Sequence, residues 1–169
     1  VNFGIVYGIS DFGLAKNLGI SRQEARDFID RYLARYPKVK AYMDACVENG
    51  RSRGYVTTLF GRRRYLPELK SANYNQRSFG ERAAMNSPIQ GTAADIIKLA
   101  MVRVNQALTA QGYKSRLILQ VHDELIIEAP LAEAADVAEL VRREMEGVVA
   151  LDVPLVLTDP IPGCETKNA

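Results

Sequence analysis

The sequence predicts an α+β fold, mostly helical, with a small antiparallel sheet built on a central hairpin. Three observations predict it. Several segments repeat apolar residues at helical spacing, two pairs of short β-prone runs flank compact turns, and helices do not alternate strictly with strands. At 169 residues the chain amounts to about one domain, and 47% hydrophobic with 25% charged residues is enough to bury an ordinary core.

The elements follow in order. In the opening VNFGIVYG, Phe3 and Tyr7 stand four apart, as do Gly4 and Gly8. On a helix one face would carry two rings and another almost no side chain. Each glycine costs a helix about 1 kcal/mol against alanine, so the octapeptide reads equally as a strand. Ser21 and Glu24 fit a capping box, followed by a helix whose apolar face is Ala25, Phe28, Ile29, Tyr32, Leu33 and Tyr36. Pro37 suits the first turn of the next helix, where Val39, Tyr42, Met43, Cys46 and Val47 repeat the pattern until Gly50. These aromatic and methionine stripes read as core.

YVTTLFGRRRYL, residues 55–66, reads as a hairpin turning near Gly61. A polar loop, Lys70–Gln76, leads into a helix expected to end before Pro88. The next is expected from about Thr92, with Ile96, Ile97, Ala100, Met101, Val104 and Leu108 inward and Gly112 as its stop. LILQVHDELIIEA, residues 117–129, reads as a buried hairpin of Leu117–Val121 and Leu125–Ala129 with a polar tip. Ala134, Val137, Ala138, Val141 and Met145 mark a last helix, and Val153–Leu157 a further strand.

Bulk properties exclude several classes. Cys46 and Cys164 form no CxxC pattern, which argues against a disulfide framework or a zinc site, and Cys46 reads as a small core residue. No stretch is long or apolar enough to span a membrane and no signal peptide is visible, so a reducing, intracellular setting is expected. A net charge of +2 does not announce a nucleic-acid partner, and the arginines of RSRGYVTTLFGRRR, residues 51–64, read first as a charged hairpin edge.

Two patterns point to chemistry. His122, Asp123 and Glu124 interrupt an apolar run where Asn-Gly would make an easier turn. Adjacent carboxylates on a rigid tip suit a magnesium ion, which prefers a few carboxylate oxygens, water and substrate phosphates. A two-metal phosphoryl-transfer site needs a further carboxylate from another segment. The same triplet also reads as a solvated turn. A histidine-aspartate phosphohydrolase is excluded, because His122 is the only histidine. The second pattern is ERAAMNSPIQGTAADIIKLAM, residues 81–101. Arg82 and Asn86 share a helix face, and Gln90 falls in the expected Pro-Gly break. Such donors reach acceptors on base edges and sugars, although a capped polar helix face explains them equally well.

In this order, VNFGIVYG, RGYVTTLFGRRRYLP, ERAAMNSPIQGTAADIIKLAM and LQVHDELIIEAP resemble the C-terminal part of the polymerase domain of bacterial DNA polymerase I, in the family A DNA polymerases. The resemblance runs from about Val1 to Leu155, and four ordered motifs are far more specific than one. It implies a partial polymerase, with fingers-like helices in residues 1–54 and a palm-like part in residues 55–169. VNFGIVYG resembles the second half of motif B, which makes Phe3 and Tyr7 nucleotide-binding, Phe3 toward the sugar and Tyr7 near the templating base. VHDE resembles motif C, which makes Asp123 a ligand of two catalytic magnesium ions, Glu124 an accessory carboxylate and His122 a neighbour of the primer terminus. Arg82, Asn86 and Gln90 match residues that contact the primer–template minor groove, and Arg62–Arg64 match conceivable backbone contacts.

The implied activity is DNA-directed DNA synthesis from deoxynucleoside triphosphates, in replication or repair, in the bacterial cytoplasm at the nucleoid. No membrane partner or oligomer is indicated. A non-catalytic DNA-binding module on the same scaffold is the alternative. Motif A, the first half of motif B, the thumb and any exonuclease region are not in the chain, so the fragment alone is expected to be inactive. TDPIPGCETKNA stands where the family has a tryptophan-containing tail, and Pro160 and Pro162 are expected to end the last strand early.

Overall fold

The computed structural model describes residues 2–157. In chain order these form α1 (Asn2–Val6), α2 (Asp11–Leu18), α3 (Arg22–Arg35), α4 (Pro37–Arg53), β1 (Tyr55–Thr57) and β2 (Arg63–Tyr65). A 3₁₀ turn (Pro67–Lys70) precedes α5 (Tyr74–Ala110), β3 (Arg116–Val121), β4 (Glu124–Glu128) and α6 (Ala134–Glu146). The strands make two separate antiparallel pairs, β1–β2 and β3–β4, so the α+β expectation holds with two small sheets. The chain divides into two compact units, residues 1–92 and 93–169.

In the first unit, local sequence sets the helix ends. Ser21 and Glu24 form the expected capping box: Ser21 N–H donates to Glu24 Oε2 at 2.9 Å and Glu24 N–H to Ser21 Oγ at 3.2 Å. Asp11, at the start of α2, accepts from Arg22 Nε at 2.9 Å and Arg26 Nη2 at 3.0 Å, tying α2 to α3 over a small core of Leu14, Ala15 and Ala25. Pro37 opens α4, but Gly50 does not close it. The helix continues to Arg53 and ends on Gly54, whose φ is +79°. Gly50 serves packing instead, since a Cβ there would lie 2.7 Å from Leu69 Cδ1. The stripe read as core is only partly covered: Phe28, Tyr36 and Tyr42 are 38%, 50% and 41% exposed. Val56, Leu66, Leu69, Ala83 and Ala84 make the second core of this unit.

The largest departure is α5. Pro88 was expected to break it, yet one helix runs through the proline. An interior proline costs about 3 kcal/mol because it removes a backbone donor and crowds the preceding turn. Hydroxyls on both sides add hydrogen bonds around the proline: Ser87 Oγ donates to the Ala83 carbonyl, and Thr92 Oγ1 to the Pro88 carbonyl at 2.6 Å. The β1–β2 loop then docks on the same turn, Leu59 N–H donating to Thr92 Oγ1 at 2.9 Å and Arg62 Nη2 to the Gly91 carbonyl at 2.9 Å. Gly91 allows this approach, since a Cβ there would meet Thr58 Cγ2 at 2.6 Å.

In the second unit, Val104 and Leu108 of α5 pack with Val137 and Leu140 of α6, against Leu125 and Ile127 of β4. Glu133 fixes the base of β3 by accepting from Lys114 N–H at 3.0 Å, Ser115 N–H at 3.1 Å and Ser115 Oγ at 2.7 Å. The Ser115 hydroxyl, ahead of these backbone donors, holds the Glu133 carboxyl below its usual range.

The hairpin is not buried as expected. Its partners Leu117↔Ile127 and Leu119↔Ile126 leave Ile118 as the extra residue of a bulge, which reverses the alternation of faces beyond it. Ile118, Leu119, Val121 and Ile126 are therefore 59%, 53%, 39% and 44% exposed. Val153–Leu157 forms no strand; Leu157 N–H donates to Glu146 Oε1 at 2.9 Å rather than to a strand partner. The expectations for the tail, with Pro160, Pro162 and Cys164, lie outside the described residues.

Two stability predictions follow from these contacts. Arg22, then Arg26, hold the Asp11 carboxyl down at about 2 from the ordinary 3.8. A depressed folded value stabilises the protein above the unfolded value and loses that contribution as pH falls through the folded one. Asp11→Asn is therefore expected to melt earlier than wild type at neutral pH, with the gap closing between about pH 4 and pH 2 in pH-dependent urea unfolding. Thr92→Val removes both hydrogen bonds of the Thr92 hydroxyl and is expected to lower unfolding free energy by about 1 kcal/mol, read by urea melts with circular dichroism.

Candidate active site

The candidate residues fall into two groups, one in each unit. In the first, Asn2–Val6 of VNFGIVYG form α1, extended by Tyr7 N–H donating to the Phe3 carbonyl at 2.9 Å. Phe3 and Tyr7 stack with ring centroids 6.5 Å apart and planes 19° from parallel, so the expected aromatic face exists. Phe3 is 79% exposed and open to a ligand, while Tyr7 is half-buried. Gly8 closes the turn at a φ of +77°, and a Cβ there would fall 2.5 Å from Met85 Cε and 3.4 Å from Arg82 Cγ. The glycine lets the aromatic helix press directly onto α5.

Because α5 does not break, Arg82, Asn86 and Gln90 lie at successive four-residue steps along one helix face. The expectation that Gln90 sits in a gap between helices is corrected: it shares the row. Arg82 and Gln90 are exposed and Asn86 half-buried. Ser78 Oγ accepts from Arg82 Nη1 at 2.8 Å, which steadies the guanidinium from one turn below. Asn86 Nδ2 donates to the Tyr7 carbonyl at 3.4 Å, a direct link between the aromatic pair and the donor row. Asn86 Oδ1 is buried with no hydrogen-bond partner.

The second group is the tip of β3–β4. Val121 pairs with Glu124, leaving His122 and Asp123 as a two-residue loop. His122 has a φ of +54° and Asp123 does not share the positive sign, the pattern of a type II′ turn with a histidine where glycine is preferred. A side chain in that region costs on the order of 1–2 kcal/mol. His122, Asp123 and Glu124 are all exposed, as a solvent-facing ligand pair requires. Gln120, which sequence reasoning passed over, donates from Nε2 to the His122 carbonyl. Its signal was faint: one amide in a run of Leu, Ile and Val. Among the described residues no group of three or more His, Cys, Asp or Glu gathers to hold a metal, and the tip itself offers two adjacent carboxylates.

Chemically, the first group offers an aromatic face beside a row of amide and guanidinium donors. The second offers two hard oxygen ligands on a stiff tip. Hard carboxylate oxygens with room for water and phosphate are what magnesium accepts, so the donor set fits that ion.

The family model for DNA polymerase family A matches residues 1–160. DNA polymerase I of Bacillus subtilis is 61% identical over 155 residues, 92% of this chain and 18% of that protein. DNA polymerase I of Caldicellulosiruptor bescii is 60% identical over 157 residues, 93% of this chain and 18% of that protein. The solved POL domain of Pol1 from M. smegmatis, in complex with DNA primer-template and dNTP, superposes with a TM-score of 0.88 at 48% identity. That match covers 91% of this chain and 27% of the other. The chain thus spans under a fifth of the length of these curated relatives, and within that span it belongs to DNA polymerase family A.

Proposed function

We propose that the chain is the C-terminal part of a DNA-directed DNA polymerase and carries one acidic arm of its nucleotidyl-transfer site. The observation that carries this reading is the strained, solvent-facing turn that presents Asp123 and Glu124 in a chain of this family. Residues 1–54 correspond to fingers and residues 55–169 to palm in this reading.

The roles follow from the chemistry each group can do. Asp123 would hold divalent magnesium, with Glu124 as an accessory carboxylate. Two such ions, when bound, would activate the primer 3′-hydroxyl as a nucleophile and neutralise charge on the departing pyrophosphate. Phe3 offers its open ring to the sugar of the incoming deoxynucleoside triphosphate, and Tyr7 stacks beside it toward the templating base. Arg82 and Gln90 donate to minor-groove acceptors of primer–template DNA, which every base pair presents at similar positions. Asn86 is the third donor of the row, with the Tyr7 carbonyl taking one of its two amide hydrogens. His122 lies at the primer terminus in this scheme. The open apolar side of β3–β4 is the natural seat for the element that brings the second metal-binding carboxylate. A bacterial cytoplasmic enzyme of replication or repair fits the relatives' identity.

Two outcomes test the proposal. In the full-length polymerase, Asp123→Ala is expected to lower primer-extension rate by at least 10³-fold, about 4 kcal/mol of transition-state stabilisation, with duplex affinity within about threefold. A DNA-binding module without catalysis would show no magnesium-dependent extension to lose. Residues 1–169 alone are expected to give no extension with primer–template, deoxynucleoside triphosphates and magnesium, because a two-metal site needs a carboxylate from a further segment. Clear extension by the fragment would refute that division of labour.

A further inference from the structure

We propose that Gln120 is a positioning residue that holds the acidic turn in one of two peptide-flip states and thereby aims Asp123. The proposal rests on the reading of Asp123 as a metal ligand, but its structural half stands apart from that reading.

Types I′ and II′ are the two usual two-residue hairpin turns, and both have a positive φ at the first central residue. They differ in the peptide between the two central residues, which is flipped by about half a turn, and this sets the sign of φ at the second. Here that peptide joins His122 to Asp123, and its carbonyl is the one that accepts the Gln120 amide. Only His122 has positive φ, so the bond accompanies the II′ state. Flipping the peptide would swing the Asp123 backbone to positive φ and re-aim its carboxylate.

The central residues are not the ones that either turn type prefers. Type II′ prefers glycine at the first central position, where this chain has a histidine. Gln120 is well placed to compensate. The bulge at Ile118 reverses strand alternation, so Gln120 rather than Val121 turns to the covered face, opposite Leu125, a member of the apolar cluster with Val104 and Leu140. A leucine would be the default residue there. The polar end of Gln120 finds its partner at the turn instead.

The test is a double-mutant cycle in the full-length polymerase. Gln120→Leu is expected to lower kcat about tenfold while nucleotide KM and duplex Kd stay within twofold. In a His122→Gly background, where glycine itself favours II′, the same substitution is expected to cost less than twofold. Gln120→Glu, of equal length but without the donor, is expected to behave like Gln120→Leu, and both variants should keep the wild-type melting temperature. Crystal structures supply the readout independent of activity, with Asp123 at positive φ in Gln120→Leu and at negative φ in wild type. Equal losses in both backgrounds, or an unflipped turn in Gln120→Leu, would overturn the proposal by making Gln120 a direct substrate contact or a bystander. Failure of the metal reading is separate, since it appears as full synthesis by Asp123→Ala whatever the turn does.

Discussion

Continuity of α5 through Pro88 is the constraint on which the rest of the structure depends. Ala83 and Ala84 of this helix sit in one core, and Val104 and Leu108 sit in the other. A break at the proline would undo the turn on which the β1–β2 loop docks. It would also take Gln90 off the face it shares with Arg82 and Asn86. The helix survives because the β1–β2 loop clamps the proline turn through Thr92 and Gly91. Tertiary contacts here outweigh a local preference of about 3 kcal/mol.

That balance explains what could be read from the sequence and what could not. Capping at Ser21, Pro37 at the head of α4, the turn at Gly61 and the stop at Gly112 were legible because each is a short-range effect complete within a few residues. Pro88 was misread because its rescue comes from residues 58–62, some 30 positions away. Gly50 misled for the same reason: a glycine that reads as a helix stop is there to admit Leu69. The exposed Phe28, Tyr36 and Tyr42 show that helical spacing identifies a face but not what covers it.

The candidate site was legible as residue types and less so as geometry. Asp123 and Glu124 stand out as charges inside an apolar run, and the structure leaves them facing solvent on a stiff tip. Which strand residues accompany them depended on a single bulge. One extra residue at Ile118 exchanges the two faces beyond it, and no pattern in LILQV marks which of five similar residues will be extra. Gln120 gains its place at the turn from that exchange. The tie between Asn86 and Tyr7 was invisible for another reason, since a backbone carbonyl has no sequence signature.

Three local costs fall on or beside the candidate residues. His122 holds a backbone conformation that side chains avoid, Asn86 keeps a buried oxygen without a partner, and Pro88 sits inside a helix between Asn86 and Gln90. Each runs against a general rule of stable folds, and each sits on or beside a residue proposed to meet nucleotide, duplex or metal. A sequence selected only for stability would replace the histidine with glycine and the buried amide with an apolar residue, at a gain of roughly 1–3 kcal/mol each. Their clustering on two elements, α5 and the β3–β4 turn, is what a functional demand on geometry predicts, because strain persists only where surrounding structure over-determines it. The well-packed alanines of α5 and the hydrogen bonds around Glu133 supply that support. On this argument the turn's II′ geometry is maintained against its own preference, and the acidic pair owes its direction to the strand beneath it.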